Sequence, residues 1–529
     1  MQKSIHFKKN FFSHFHSEWF VFTIFILFLL VLGILIHDDF GIHWDSQSNQ
    51  EIGQVNTSYI QDRNESFFDY QYRYYGPWFE ILLFNITKDM PDQQTYFARH
   101  LVTYLFFLLG VAAFYFLIKR IIKQWPLALL GCVFLVISPR IFGDAFYNSK
   151  DISFLVVFIV SILTLHIYLE ENTVSRLVFH SISSAALIAL RTPGIVILVF
   201  TLGFLIFDLL FLKNQKWQLT LFHGVIYIAL TCILTYLLWP ILWHDPINEI
   251  QNAFYIMSHF PWRGGVVLYR GSYIDSTNLP WHYIPVWMVI TIPLGYILFA
   301  LAGFLGFSKQ LFQSHWKALY ARNRDFLLLA GWLFVPVASV IFLKSVLYDG
   351  WRHMFFVYPA VIVFSIMGVK TLLNMQWGKL SLKINLGIVG LIVLVSIAEP
   401  LLFIYHNHPL EMVYFNQLVS MRKLKIRQYI EMEYWGLSYR QGLEYVLSAN
   451  PGKQIRIAVA NSPGELNAML FSQTDRERLI YVSEPEQADY FLTNYRWHPA
   501  DYDYSNEVFK IMIEGEKVFS VFKMEAKQK

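Results

Sequence analysis

The chain has 529 residues, of which 55% are hydrophobic, 18% aromatic and only 15% charged, with a net charge of +4 at pH 7. That apolar content excludes a disordered chain and exceeds what an ordinary soluble enzyme carries. The small net charge, with no basic tract, excludes a nucleic-acid footprint, so no nucleic-acid partner is expected.

A bilayer core about 30 Å thick needs roughly 20 apolar residues per helix. By that measure about eleven transmembrane helices are predicted, at 19–36, 100–118, 127–142, 152–169, 177–191, 194–212, 219–239, 285–306, 326–344, 354–372 and 384–404. The first, WFVFTIFILFLLVLGILI, follows a basic N-terminus and precedes no small-residue cleavage site, so it reads as a retained span. Basic residues mark alternate loops. Lys3, Lys8 and Lys9 precede the first span, and Lys119, Arg120 and Lys123 follow the second. Lys213 and Lys216 follow the sixth, Lys309, Lys317, Arg322 and Arg324 the eighth, and Lys370, Lys379 and Lys383 the tenth. The excess of Lys and Arg in cytoplasmic loops then puts the N-terminus in the cytoplasm and residues 405–529 outside it. RTPG at Arg191–Gly194 reads as a short re-entrant break. Cys132 and Cys232 lie in apolar runs and read as packing residues.

The long polar segments fall on the opposite side. They are 37–99, GDAFYNSKD at 143–151, the aromatic loop 239–281 and LYDGWRH at 347–353. In the first of them, Ser48 and Glu51 fit an S-x-x-E capping box, which predicts a helix from about Asn49. FDYQYRYYGPWFEILLFNI at 68–86 is aromatic and amphipathic and predicts an interfacial helix. Beyond residue 404 the pattern changes. QYIEMEYWGLSYRQGLEYVLSA predicts one or two helices. QIRIAVANS, RLIYVSE, ADYFLTNY and FKIMIEGEKVFSVFKM predict strands, the last a hairpin about EGEK. The expected fold class is an α-helical polytopic membrane domain, 1–404, followed by a small extracytoplasmic α/β domain, 405–529.

Acids and bases gather at that one interface: Asp45 and Glu51; Asp144, Lys150 and Asp151; Arg263 and Arg270; Asp349, Arg352 and His353. Transfer from a phosphate needs both kinds of group. A carboxylate takes the proton of the attacking nucleophile, and cations stabilise the departing phosphate. Each residue also has a structural reading. Asp45 fits a helix cap, Asp144, Lys150 and Asp151 a solvated turn with a snorkelling lysine, and Arg352 and His353 interfacial anchors. The tryptophans of WPILWHDP and LPWHYIPVW fit an interfacial belt. Transporters more often carry their polar groups at mid-membrane, so the gathering at one face favours chemistry there. No His/Cys ligand spacing is present, so no metal or other cofactor is expected, although two nearby acids would accept a divalent ion.

The order of these pieces resembles the GT-C glycosyltransferases, in particular the family of protein O-mannosyltransferases and lipid A aminoarabinose transferases. HWDSQSNQ stands where that family has an acidic motif after the first span, and SPRIFGDAFYNSKDISF matches its second acidic turn, after the third. LPWHYIPVWMVITIP, RHMFFVYPAVIVF, and HPLEMVYFNQLV followed by EMEYWGLSYRQGLEYV are similar to bacterial members. One departure is that many members have two adjacent acids in the first loop, whereas Asp45 is followed by Ser46. The resemblance implies a polyprenyl-phosphate-linked hexosyl or pentosyl donor and an acceptor hydroxyl or amine on a protein, lipid or glycan. It also implies inversion at the anomeric carbon and a place in a bacterial inner membrane. By the same resemblance Asp45 is the general base, Asp144, Asp151 and Glu51 shape the substrate pocket, and Lys150, Arg352 and His353 bind the donor phosphate. The alternative, from another class, is a transporter or flippase of lipid-linked saccharides that uses the same face for binding alone.

Overall fold

The computed structural model describes residues 2–212, 216–260, 262, 264–311, 316–375, 382–420 and 425–525. Lys213, Arg263 and Lys379 lie outside the described residues. Among those described, eight helices are long and apolar enough to cross a membrane: Ser17–Ile36, Asp92–Ile122, Ser149–Glu170, Thr192–Phe211, Trp217–Leu238, Asn323–Phe342, Arg352–Asn374 and Lys383–Asn407. Two more expected spans are bent pairs, Trp125–Val136 with Pro139–Tyr147 at 69° and Tyr283–Thr291 with Leu294–Ser308 at 115°. Proline marks both breaks: Pro139 opens the second helix of one pair, and Pro293 immediately precedes that of the other. A proline disfavours helical geometry in the residue before it and donates no N–H, so the helix stops there and restarts. The expected span at 177–191 is a helix of 15 residues, Val174–Ile188, about 22 Å long at 1.5 Å per residue. That is shorter than a bilayer core, and the chain turns at RTPG into a 3-10 segment, Thr192–Ile195.

Ser149–Glu170 is the most enclosed of the spans, and its first turn carries Lys150 and Asp151. The Asn148 side chain caps it by accepting from the Asp151 N–H at 3.0 Å. A carboxylate in this position also meets the favourable end of the helix dipole. The amphipathic stretch 68–86 is not one helix. A 3-10 segment, Glu65–Asp69, and a helix, Trp78–Thr87, flank a run of turns. Pro77 precedes the helix, and Gly76 lies so close to the end of Val174–Ile188 that an added Cβ would come 2.1 Å from the Ala189 carbonyl oxygen. Only glycine permits that approach.

Leu410, Tyr414, Trp435 and Leu437 join the apolar core of the spans, while Arg427 donates to the Lys517 carbonyl of the C-terminal sheet at 3.3 Å. A second core begins at Tyr439 and unites the helix Tyr439–Ala449 with the sheet. The sheet runs Leu479–Tyr481, Ile455–Val459, Tyr490–Thr493, Glu516–Lys523, Glu507–Ile513. Its first three strands are parallel and the last two antiparallel. The expected hairpin turns at Glu514 and Gly515, with φ of 50° and 85°, the signature of a tight two-residue turn. A second hairpin, Val266–Tyr269 with Ser272–Asp275, lies in the aromatic loop where no strand is expected. Its Tyr269 bridges to Ile430 and so ties that loop to the C-terminal part.

Candidate active site

Asp45 immediately precedes the helix Ser46–Asp62 and occupies its cap position, yet its carboxylate makes no capping bond. The helix start is held instead by the Asp45 carbonyl, which accepts from the Asn49 N–H at 2.9 Å and Ser48 Oγ at 3.0 Å. Ser48 is therefore already inside the helix and the expected capping box does not form. Glu51 accepts from Gln47 Nε2 at 3.1 Å and from Tyr70 Oη at 3.4 Å, so its carboxylate is engaged away from Arg352. The Asp45 carboxylate turns toward Arg352, whose Nη2 donates to it at 3.4 Å. The Asp45 N–H donates to His43 Nδ1 at 3.1 Å, which leaves the imidazole proton on Nε2. Burial pushes His43 down to about 3, so this ring stays neutral.

Arg352 opens the 3-10 segment before the helix Tyr358–Asn374. Its guanidinium lies 4.4 Å from the Trp435 ring centroid and 5.0 Å from that of Tyr348. Nη1 donates to Asp151 Oδ2 at 3.2 Å, and Nη2 also donates to Asp349 Oδ2 at 3.1 Å. The other Asp151 oxygen takes a bond from Arg191, the arginine of RTPG. The other Asp349 oxygen takes one from Arg496 at 2.6 Å. Asp144 stands behind this set. Asn148 Nδ2 bridges it to Asp151, at 3.1 and 2.9 Å, and Trp435 Nε1 donates to Asp144 Oδ1 at 3.2 Å. Three carboxylates thus share three guanidinium groups, but their access to water differs. The side chains of Asp151 and Asp349 are 2% and 4% exposed, whereas that of Asp45 is 26% exposed. Burial pushes the Asp45 carboxyl up, and Arg352 and Lys150 pull it down further, so it ends below its ordinary value. The cations hold this carboxylate ionised, and its access to water leaves it the one acid of the three able to meet a proton from outside.

Lys150 completes the opposite wall. Its ammonium sits 4.1 Å from the Tyr75 ring centroid, and among the described residues no carboxylate lies within ion-pair distance of it. A cleft opens beside it, lined by Tyr75, Arg191, Thr192, Phe260, Tyr348 and His353. The Tyr348 and His353 rings meet edge to face at 4.7 Å, and His353 Nδ1 is buried without a hydrogen-bond partner. The Arg191 guanidinium and the His353 ring nitrogen line the cleft and the Lys150 ammonium lies against its Tyr75 wall, an arrangement whose chemistry suits an anion.

Of the residues singled out from sequence, Arg352 bonds both Asp45 and Asp151, Asp144 joins through Asn148 and Trp435, His353 lines the adjoining cleft and Lys150 lies against its Tyr75 wall. Arg191, Tyr75, Trp435 and Arg496 had no assigned role, and Asp349 was noted only by its place. Their partners lie far off in sequence: 291 residues separate Asp144 from Trp435, and 147 separate Asp349 from Arg496. Spacing motifs carry no signal over such distances. Only RTPG gave a sign, and it reported the backbone turn, not the destination of its guanidinium.

No family model matches the chain, and no curated protein matches it. Among solved structures it is similar to the apo oligosaccharyltransferase of Archaeoglobus fulgidus, at 12% identity and a TM-score of 0.49, over 88% of this chain and 65% of that one. The chain thus spans about two thirds of that enzyme's length. It is also similar to ArnT from Cupriavidus metallidurans in the apo state, at 11% identity and a TM-score of 0.47, over 95% and 98% of the two chains. ArnT bound to undecaprenyl phosphate gives 12% identity and a TM-score of 0.46, over 94% and 98%. At such identities and TM-scores these likenesses assign no role to any residue here; the geometry of the cluster carries that argument.

Proposed function

We propose that the chain is a membrane glycosyltransferase that moves a sugar from a polyprenyl-phosphate-linked donor to an acceptor hydroxyl or amine at the outer face, inverting the anomeric carbon. The observation that supports it best is the single water-accessible carboxylate, Asp45, in an otherwise sealed acid–guanidinium set beside a cation-lined cleft. In this reading the acceptor O–H or N–H bonds to Asp45, which takes the proton as the acceptor atom attacks the anomeric carbon. The bond from that carbon to the phosphate oxygen breaks, and its electron pair leaves with the polyprenyl phosphate. Lys150, Arg191 and His353 receive the phosphate charge, which a cleft at the ends of the spans meets at the depth where a lipid-borne phosphate lies. Asp151 holds Arg352 and Arg191 in place, while Asp144 fixes Trp435 against Arg352. With the short helix Val174–Ile188 counted as a crossing, the N-terminus lies in the cytoplasm and the C-terminal sheet on the acceptor's side.

Purified protein in vesicles, given a radiolabelled polyprenyl-phosphate sugar and cell-envelope acceptors, tests the proposal. A transferase moves the label to an acceptor and leaves free polyprenyl phosphate. Label that crosses the bilayer still attached to the lipid would instead make the protein a flippase.

A further inference from the structure

We infer that Arg496, carried by the C-terminal sheet domain, is a positioning residue for the transfer reaction: it holds Asp349 and, through Asp349, sets the place of Arg352 against Asp45. This rests on Asp45 being the base.

Arg496 follows the strand Tyr490–Thr493, on a loop that crosses to the ends of the spans. Both its neighbours have left-handed backbones, Tyr495 at φ 60° and Trp497 at φ 61°, which non-glycine residues adopt only when the surroundings compel them. The surroundings do so. Asn494 Nδ2 donates to the Glu433 carbonyl at 2.9 Å, and the Tyr495 N–H donates to Thr493 Oγ1 at 3.0 Å. The loop thereby delivers a buried guanidinium with four contacts. Nη1 donates to the Tyr434 carbonyl at 2.5 Å, Nη2 donates to Asp349 at 2.6 Å, and the group lies over the Trp44 and Trp497 rings, 4.9 and 4.7 Å from their centroids. Trp44 is the residue before Asp45, and its N–H donates to the Trp435 carbonyl at 3.0 Å. The sheet domain therefore grips the segment that bears the base and the acid that shares its arginine.

The consequence is a division of charge. Asp349 gives one oxygen to Arg496 and the other to Arg352, on the same nitrogen that reaches Asp45. With Arg496 in place, its partner is neutralised from behind, and Arg352 keeps attraction to spare for Asp45. Without it, the whole Asp349 charge falls on Arg352, which already lies nearer to Asp349 than to Asp45 (3.1 against 3.4 Å). Asp45 would lose cation support and hold its proton more tightly. The other groups that face Asp45 are Lys150 and Asp151 from the central span, Tyr75, Tyr348 and His353 from the cleft, and neutral His43 from its own segment; none of them touches Arg496.

The test is the pH profile of turnover in the full-length protein, at saturating donor, where the phosphate's charge raises Asp45 and brings the acid limb into reach. Arg496→Gln is expected to move that limb to higher pH by about half a unit or more, and Arg496→Lys to return it. Asp349→Asn moves it the other way, and it decides the matter should Arg496→Gln fail to fold. Lower turnover in Arg496→Gln at every pH with an unmoved limb, or an unmoved limb in Asp349→Asn, would overturn the inference and leave Arg496 a structural clasp. If Asp45→Asn is itself active, the base assignment fails instead, and the two failures stay distinct.

Discussion

Two buried acid–guanidinium groups sit near opposite ends of the Thr192–Phe211 span, and they are built differently. Near its far end, Asp208 accepts from Tyr320 Oη at 2.5 Å and from Arg324 Nη2 at 2.8 Å, with 1% of the Asp208 side chain exposed. One carboxylate meets one guanidinium and one phenol, and both of its oxygens have a donor. Just before its near end, Arg191 belongs to the cluster in which Arg352 is divided among three carboxylates and one of them, Asp45, stands open to water. A bond that only ties helices together gains nothing from an exposed acid or from an unpaired ammonium such as Lys150. The comparison teaches that chemistry shows as unfinished pairing, whereas structure shows as completed pairing.

The largest expected effect breaks the two groups in parallel. Arg352→Ala takes one of two guanidinium partners from each of the buried Asp151 and Asp349 and leaves the Asp45 carboxylate without its arginine, which should cost about 3–5 kcal/mol of stability, together with donor binding. Asp208→Ala should cost less, because Arg324 is 20% exposed and reaches water, and should leave turnover per folded molecule at the parent's level. Thermal midpoints in detergent and turnover of the monodisperse fraction check both. Equal loss of turnover in the two variants would erase the contrast.

A smaller effect sharpens it. Lys150→Met removes an ammonium that has no carboxylate to strand, so the thermal midpoint should barely move. Donor affinity should fall about 10- to 100-fold, the worth of one charge-assisted hydrogen bond. Equilibrium binding of labelled polyprenyl phosphate reads this directly; unchanged affinity would return Lys150 to snorkelling.

The smallest effect concerns Glu431, which lines a cavity beside Arg496. Burial and the charge of Asp349 push it up to about 8. Asp349 has both oxygens on guanidinium groups, so the proton of this pair belongs to Glu431. Its folded value exceeds the unfolded one of about 4.3. The folded state therefore binds the extra proton between those values, and stability falls as pH rises from about 4.3 through 8. Glu431→Gln mimics the protonated form. It should match the parent's melting temperature at pH 5 and exceed it at pH 9; parallel curves would contradict the assignment.

Most of the fold was legible because apolar runs and alternation are local signals. The misses have local causes too. The bend at Pro293 lies inside a run whose hydropathy is continuous, and that at Pro139 lies where Ser138 and Arg140 only briefly interrupt one. QYIEMEYWGLSYRQGLEYVLSA holds two helices, Ile426–Tyr429 and Tyr439–Ala449, and between them the chain bends and turns, since the Glu433 carboxylate accepts the N–H groups of Gly436 and Leu437 at 2.8 and 2.9 Å and the Ser438 hydroxyl at 2.8 Å. A side chain has taken donors a helix would need. Ser48 and Glu51 matched a capping pattern, but the helix had already started at Ser46. For the site, the residue types at the interface were legible and their pairing was not. Asp45 and Arg352 are 307 residues apart, and only the packing of the spans joins them.

The central claim is that Asp45 is a base and not a cap, and one substitution separates the two. Asparagine caps helices as well as aspartate does but accepts no proton from an acceptor hydroxyl. Sugar transfer by Asp45→Asn, measured at saturating donor on monodisperse protein, should fall about 10²–10⁴-fold with the thermal midpoint nearly unchanged. Near-parental transfer would contradict the account and leave Asp45 only its place before the helix.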